Sequence, residues 1–517
     1  MSDANLPADQ LARSSRDRFG VAELTDKINV SIETHYWRWV SVFTILFLAC
    51  SIARDLKTKL WFDELFTLYL AKLASPADII AFNDASPPLY PIIVHWLLPI
   101  IGNDALAIRL PATLGYCAMI VCLWAFCRPR LPAAFAFAVS LLTFERGLYF
   151  ATEGRAYGVV LGCAAGSLLC WQMATEGRRR GSALALLAFC SGLMVALHYY
   201  AIFFLAVLCL AEGVRSRASG KIDWGIWAAM LPAPLVLGLH LTLLASNQDY
   251  GTHFWAQASL AAIPPFYERF LLPPLILGGL AVAVVVLLAG SSRYRPEGMR
   301  NVNFPPHEWT AIAGLVLIPP AVIVVSMYTT HAFFERYILW AVIGFALVGA
   351  AGLATVVRGR AAVGVVLIGV TIASIARLEI GPVFGTPLLP TAEGMRQELD
   401  RLARYGSEPI VVANAHAFME LTYYLDRPLR ERIVFPISRE LDVKYRGFDT
   451  DALTLGPLGQ RGQIPVKAYE EIVGENKSFL LAATDADYLP QHLTAQGYRV
   501  TRVEGTTTLF EVQARGN

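Results

Sequence analysis

Residues 87–102, Pro87-Pro88-Leu89-Tyr90-Pro91-Ile92-Ile93-Val94-His95-Trp96-Leu97-Leu98-Pro99-Ile100-Ile101-Gly102, form the apolar stretch on which the topology of this chain turns. A membrane span takes roughly 20 apolar residues, about 17 at the short end, so length alone almost permits a crossing. Charge placement argues against it. Working outward, spans are expected near 36–53, 105–127, 131–150, 155–175, 182–197, 199–214, 223–245, 271–290, 308–328, 334–356 and 361–378. The connections carry Arg128-Pro129-Arg130, Arg178-Arg179-Arg180, Arg215/Arg217/Lys221, Arg293/Arg295/Arg300 and Arg358/Arg360. If 87–102 does not cross, all of these and the basic N-terminus (Arg13, Arg16, Arg18, Lys27) fall on one side, which is the positive-inside pattern. If it crosses, the first two basic loops end up outside. The stretch therefore reads as an interfacial or re-entrant helix, giving eleven spans, an inner N-terminus and an outer C-terminal region. Arg54, Lys57 and Lys59, just outside the first span, run against the pattern and are assigned to lipid head groups.

Composition agrees with a membrane bundle followed by a globular unit. Of 517 residues, 55% are hydrophobic and 16% charged, against about a quarter charged in soluble proteins, and mean hydropathy is +0.48. The apolar runs stop near residue 378. The expected division is a cytoplasmic segment at 1–35, a transmembrane catalytic region at 36–380 with its first outer loop at 54–104, and a soluble periplasmic α/β domain at 390–517. The fold class is thus a polytopic α-helical membrane protein with interfacial helices and a small C-terminal α/β domain. A net charge of +2, without a basic tract, gives no sign of nucleic acid as a partner. The polar, basic N-terminus does not read as a secretory signal peptide. All eight cysteines lie in apolar runs and read as small core residues, neither disulfides nor metal ligands.

In the first outer loop, Trp61–Ala74 is amphipathic, with Leu65, Leu68, Tyr69 and Leu73 at helical spacing. The double proline opens the next helical stretch. A second outer loop, about 246–270, contains Asp249, His253, Trp255 and Pro264-Pro265-Phe266-Tyr267-Glu268-Arg269. In the tail, helices are expected at 392–405, 416–425 and 488–496, and strands at 409–413, 433–435, 478–483, 499–503 and 508–512.

Ionisable residues near membrane depth are functional candidates by default, and several converge on the outer side. Asp63-Glu64 follows the first span; a carboxylate there can act as general base, or can serve as a helix-start acid. Glu153-Gly154-Arg155 opens the fourth span, where free N–H groups and a guanidinium suit a phosphate, or simply start a helix. His198-Tyr199-Tyr200 joins two short spans; the histidine can donate to a phosphate or belong to an interfacial belt. Arg336-Tyr337 and Arg109 begin spans on the same side, with snorkelling as the plain alternative. Asp84, His95, His253, Glu268, Arg269 and His331 share that side without zinc-motif spacing. In the tail, a packed helix explains His416, Glu420, Tyr423 and Asp426.

The ordered set Trp61-Phe62-Asp63-Glu64, Ser86-Pro87-Pro88-Leu89-Tyr90, Arg109-Leu110-Pro111, Thr152-Glu153-Gly154-Arg155-Ala156-Tyr157, His198-Tyr199-Tyr200 and Glu335-Arg336-Tyr337 resembles the GT-C superfamily of glycosyltransferases. Its bacterial branch near lipid A aminoarabinose transferase and protein O-mannosyltransferases is the most similar. The resemblance spans about half the chain. It implies a polyprenyl-phosphate sugar donor, Asp63 as the essential acid of the first loop, and Glu153 as the second acidic position, with Gly154 in place of the usual alanine. Ala85 and Ser86 stand where relatives carry a histidine or a Glu-Lys pair before the prolines, with Asp84 one step earlier. A divalent metal is therefore allowed but not required.

The expected reaction is inverting displacement at an anomeric carbon on the periplasmic face of a bacterial inner membrane. Asp63, Glu64 and Glu153 are the catalytic candidates; Arg155, His198, Arg336, Tyr199 and Arg109 are the donor-phosphate candidates. The acceptor is an envelope lipid, glycan or protein, and the tail supports the site or recognises the acceptor. Two alternatives stay open: a secondary transporter, and a ligase or polymerase using lipid-linked oligosaccharide.

Overall fold

The computed structural model describes residues 23–24, 27–82, 86–246, 252–287, 302–357, 361–375, 377, 390–402 and 406–514. Arg13, Arg16, Arg18, Asp84, Ala85, Asp249, Arg293, Arg295, Arg300, Arg358 and Arg360 lie outside these residues.

Every expected span is helical over its described part, but several are interrupted. Among the described residues, six helices are each long and apolar enough to cross a membrane, including Tyr36–Lys57, Asp104–Cys127, Tyr157–Thr175 and Arg180–Leu197. The pair Pro306–Leu317 and Pro319–Tyr328, bent by 49°, makes a seventh if taken as one span. The bend falls where Pro319 and Pro320 follow Ile318, and proline cannot donate the backbone bond that would continue the ladder. The expected span at 223–245 is likewise three short helices, Trp224–Met230, Pro232–Leu239 and Leu241–Ser246. No disulfide forms among the eight cysteines.

The tightest seam in the bundle joins Asp104–Cys127 to Tyr157–Thr175. A Cβ on Gly158 would stand 2.3 Å from the Ala112 carbonyl oxygen, and one on Gly162 2.4 Å from the Gly115 oxygen. In the other direction, a Cβ on Gly115 would stand 2.4 Å from Val159 Cα. The backbones touch because Gly158-x-x-x-Gly162 presents no side chain, the small-residue packing by which helices associate where water supplies no driving force. This seam sets the distance between the N-terminal ends of the two helices, which carry Arg109 and the 152–155 segment.

Basic loops gather at one end of the bundle. Arg130 binds Glu308 through both Nε (2.7 Å) and Nη2 (2.6 Å) and reaches Glu176 at 2.5 Å. Arg180 and Arg215 share Asp223, at 2.5 and 3.3 Å. The connections after the helices ending at Cys127, Thr175 and Ser219, and the one before Pro306, thus close on one another.

The first loop lies at the other end. It holds three helices where two were expected: Phe62–Ala71, Pro76–Phe82 and Leu89–Ile101. The last of these has 13 residues, about 20 Å at 1.5 Å per residue, too short for a ~30 Å hydrocarbon core. It returns to its own side. Its N-terminal neighbours Ser86–Pro88 line the same cavity as Asp63. Asp104, just past its C-terminus, accepts from Lys72 at 2.6 Å and from the Tyr423 hydroxyl at 2.8 Å. The length of this helix agrees with a segment that does not cross.

The C-terminal residues build a six-stranded sheet, β1 (Ile410–Val412), β2 (Ile433–Ile437), β3 (Val466–Ala468), β4 (Ser478–Ala482), β5 (Arg499–Arg502) and β6 (Leu509–Gln513), in the order β3-β2-β1-β4-β6-β5. The first four run parallel; β6 pairs antiparallel with β4 and with β5. β1 is central and fully buried. Five of the strands match the sequence reading. The three-residue β3 is too short to show an alternating pattern. Helices Arg439–Arg446 and Thr450–Gln460 were also not anticipated. This α/β unit seats on the first loop: the Leu60 N–H donates to the Tyr424 hydroxyl at 2.6 Å, and the His416 ring stacks on Phe62 at 4.5 Å.

Candidate active site

Helix Phe62–Ala71 begins with two adjacent acids whose side chains part ways, because successive helical residues point about 100° apart. Glu64 turns into the bundle. Its Oε1 accepts from Arg109 Nε at 2.6 Å and from the Gly154 N–H at 2.7 Å. Its Oε2 accepts from Arg109 Nη2 at 2.7 Å and from the Trp61 N–H at 3.3 Å, the helix-start role weighed for this pair. The remaining Arg109 donors go to the carbonyls of Asp55, Thr58 and Lys59 and to the Thr58 hydroxyl. Arg109 is buried inside its helix, so it does not snorkel, and its five N–H groups are all used. Neither Glu64 nor Arg109 lines the cavity. They form a buried, bidentate clamp that ties the first loop to the 152–155 segment.

Asp63 turns the other way, onto the wall of a cavity of about 1030 Å³. Its Oδ2 accepts from Arg336 Nη1 at 2.9 Å and faces Arg155 Nη1 at 3.7 Å. Burial pushes the Asp63 carboxyl up, but the Arg155 and Arg336 guanidiniums outweigh it and hold it below the usual carboxylate value. Two cations thus share one carboxylate. Arg336 also stands over the Tyr157 ring at 5.8 Å and the Phe334 ring at 5.3 Å. Its Nε is buried without a hydrogen-bond partner among the described residues.

Glu153 lies behind this wall, 2% exposed, and neither carboxyl oxygen has a hydrogen-bond partner among the described residues. Burial pushes its pKa up to about 8, against the pull of Arg336 and Arg155. It is therefore mostly protonated at neutral pH. Between Glu153 and Arg155 the chain makes a tight turn, with the Arg155 N–H donating to the Glu153 carbonyl at 2.7 Å. A Cβ on Gly154 would meet Ile108 Cγ1 at 2.7 Å, which accounts for glycine at the position where the resembled family carries alanine.

His198 caps the helix Arg180–Leu197 and lies among the rings of Tyr157, Tyr200 and Tyr337, at 5.5, 5.8 and 5.5 Å. Burial, reinforced by Arg155 and Arg336, lowers its pKa to about 3, so the ring is neutral. Its Nδ1 is buried with no partner among the described residues. Tyr199 lines the cavity beside it; Tyr200 ties the helix ends to the 326–332 turn through Ala332 O (2.6 Å) and Ser326 Oγ (3.0 Å).

The cavity therefore gathers Asp63, Arg155, His198, Tyr199 and Arg336, and leaves Glu64, Glu153 and Arg109 behind its wall. His95, His253, Glu268, Arg269 and His331 do not line it: His95, for example, bonds the Ala71 carbonyl at 2.8 Å, and Arg269 pairs with Glu335 at 2.8 Å. Residues that sequence reasoning missed come from the α/β unit: His416, Arg446, Phe448, Thr450, Asp451 and Thr454. No local pattern could have singled them out, since tertiary docking alone brings them to the bundle. Leu241, Leu243, Leu244 and Ala245 give the cavity an apolar flank.

A divalent cation does not fit the described donor set. Asp63 already faces two guanidiniums, and no group of three or more His, Cys, Asp or Glu side chains converges among the described residues. The surplus positive charge suits an anion instead.

Fold and site together define a membrane-embedded helical protein with a cavity of surplus positive charge between its bundle and a C-terminal α/β unit. The chain aligns with the structure of ArnT from Cupriavidus metallidurans in the apo state at a TM-score of 0.50 and 14% identity, covering 92% of this chain and 98% of that one. The same ArnT bound to undecaprenyl phosphate aligns at 0.46 and 14% identity, over 92% and 97% of the two chains. The oligosaccharyltransferase of Archaeoglobus fulgidus, in complex with zinc and sulfate, aligns at 0.37 and 9% identity, over 91% and 72%. No protein-family model and no curated protein matches the sequence.

Proposed function

We propose that this chain is a glycosyltransferase that moves a sugar from a polyprenyl-phosphate donor onto an acceptor hydroxyl. The observation that carries the reading is the shared pairing of Asp63 with Arg336 and Arg155 on the wall of a cavity with an apolar flank. A sugar monophosphate ester needs cations for its leaving group and a base for its acceptor, and both stand here within a few ångström.

Asp63 takes the proton of the acceptor hydroxyl while that oxygen bonds to the anomeric carbon. The bond from that carbon to the phosphate oxygen breaks, and its electron pair leaves with the polyprenyl phosphate. Arg155 and Arg336 hold the departing phosphate, and neutral His198 donates a hydrogen bond to it. One displacement inverts the anomeric centre. Donor phosphate competes with Asp63 for the two guanidiniums and so frees the carboxylate as a base when a leaving group is in place. The clustering of basic loops at the opposite end supports a cytoplasmic N-terminus, a periplasmic site and C-terminal domain, and residence in a bacterial inner membrane.

Purified protein is incubated with polyprenyl-phosphate sugars and an envelope lipid and glycan extract, and mass spectrometry follows donor loss and acceptor gain. Wild type consumes donor; Asp63→Asn, still folded as judged by a cooperative thermal transition, loses roughly 10²–10⁴-fold in rate, the usual worth of a general base. Equal activity in the variant would end this mechanism.

A further inference from the structure

The cavity, about 1030 Å³, reaches the upper limit of sites for a single small molecule, which run to about 300–1,000 Å³. Its lining differs in charge between the bundle and the α/β unit. Around Asp63, two guanidiniums share one carboxylate, leaving surplus positive charge. The wall supplied by the α/β unit carries no surplus positive charge. Arg446 Nη1 binds Asp451 Oδ2 at 2.6 Å and faces Asp442 Oδ1 at 3.6 Å, while its guanidinium lies over the Phe448 ring at 4.2 Å. That cation is already neutralised twice and is not available to a phosphate. Beside it stands the Thr450 hydroxyl, buried without a hydrogen-bond partner among the described residues, on the same wall as His416. His416 in turn stacks within 6.5 Å of Trp61, two residues before Asp63.

From this juxtaposition we infer that the acceptor is an uncharged saccharide, seated against Trp61 of the first loop and against His416, Phe448, Thr450 and Asp451 of the α/β unit. The inference rests on the transferase reading above and names its acceptor class. Aromatic faces cover the C–H faces of a pyranose. A hydroxyl, an imidazole and a carboxylate satisfy its hydroxyl groups, which both donate and accept. A bisphosphorylated lipid head group would need uncompensated cations on this wall, and Arg446 there is already paired with Asp451. Trp61 and Asp63 line the same cavity, so a saccharide seated here shares it with the carboxylate.

The test is binding by the full-length protein in detergent, read by intrinsic fluorescence, since Trp61 and Trp255 both line the cavity. The probes are neutral trisaccharides of hexose and N-acetylhexosamine, a bis-phosphorylated glucosamine disaccharide, and a Ser/Thr-rich peptide. At least one neutral trisaccharide binds wild type. Phe448→Ala and Thr450→Val each weaken that binding at least about tenfold without moving the thermal midpoint. Preference for the bisphosphorylated sugar or the peptide overturns the inference, as does the absence of binding by any neutral probe. Donor consumption is scored separately. Donor turnover without neutral-saccharide binding sinks this inference and leaves the transferase reading standing; saccharide binding without turnover of any donor does the reverse.

Discussion

Asp63 and Glu64 show how far one peptide bond can separate two roles. The sequence motif brought both forward as catalytic acids, and only the 100° step of a helix with a known partner face divides them. Glu64 and Arg109 are 1% and 4% exposed and are satisfied by each other and by neighbouring backbone. Removing one partner leaves a buried, unpaired charge, which costs about 3–5 kcal/mol. Glu64→Ala is therefore expected to lower the thermal midpoint in detergent and to abolish activity through the fold, whereas Asp63→Asn, whose partners line the cavity, abolishes activity with a smaller loss of midpoint. Glu153 carries a prediction of its own. Its pKa is raised from an ordinary 4.5 to about 8, so between these values the folded chain holds a proton that the unfolded chain has lost. The stability linked to this group is fully present below about pH 4.5 and falls away as pH rises toward 8. Wild type should accordingly lose thermal midpoint between pH 6 and pH 9, and Glu153→Gln, which cannot ionise, should lose less. Identical pH profiles would mean that Glu153 is not buried as an acid. That Asp63, Arg155 and Arg336 meet was legible in the sequence only as a shared side of the membrane. Their actual pairing spans 273 positions and needed the tertiary fold.

At the scale of elements, periodicity and charge parity told most of the story. The basic loops pointed to which helices begin at the site, and the helix within 87–102 is as short as a non-crossing segment requires. Where the reading fell short, proline and glycine are the reason. Hydropathy windows see 223–245 and 308–328 as continuous, and cannot tell a straight span from one that prolines break. The glycine seam is the opposite case: Gly158-x-x-x-Gly162 is visible in the chain, but the backbone contact it makes depends on which neighbour fills the gap. Gly158→Ala should force the two helices apart, since its new methyl would lie 2.3 Å from the Ala112 oxygen. The expected result is loss of monodisperse protein, or a lower midpoint together with lost activity. Gly181→Ala serves as the matched control; it has nothing within 4 Å and gains helix propensity of up to about 1 kcal/mol. If both variants behave like wild type, the seam is looser than described.

At the scale of the whole molecule, the site belongs to two bodies. The bundle and first loop hold Asp63 and the two guanidiniums, and the α/β unit lines the cavity with residues more than 350 positions downstream of Asp63. The sequence showed that such a unit exists, and most of its strands, but read its helix at 416–425 as plain packing. Two tyrosines fasten that helix to the first loop, Tyr424 at the Leu60 N–H and Tyr423 at Asp104. Each such hydrogen bond contributes about 0.5–1.5 kcal/mol, enough to matter for how the unit sits but not for whether the bundle folds. Replacing both by phenylalanine keeps the rings and removes only the hydroxyls. If the unit serves the acceptor and the bundle serves the donor, the double variant should raise the acceptor KM several-fold while the donor KM stays near wild type. Steady-state kinetics with one substrate varied at a time decides this. A matched rise in both constants would mean that docking shapes the whole cavity, and the division of labour between the two bodies would have to be given up.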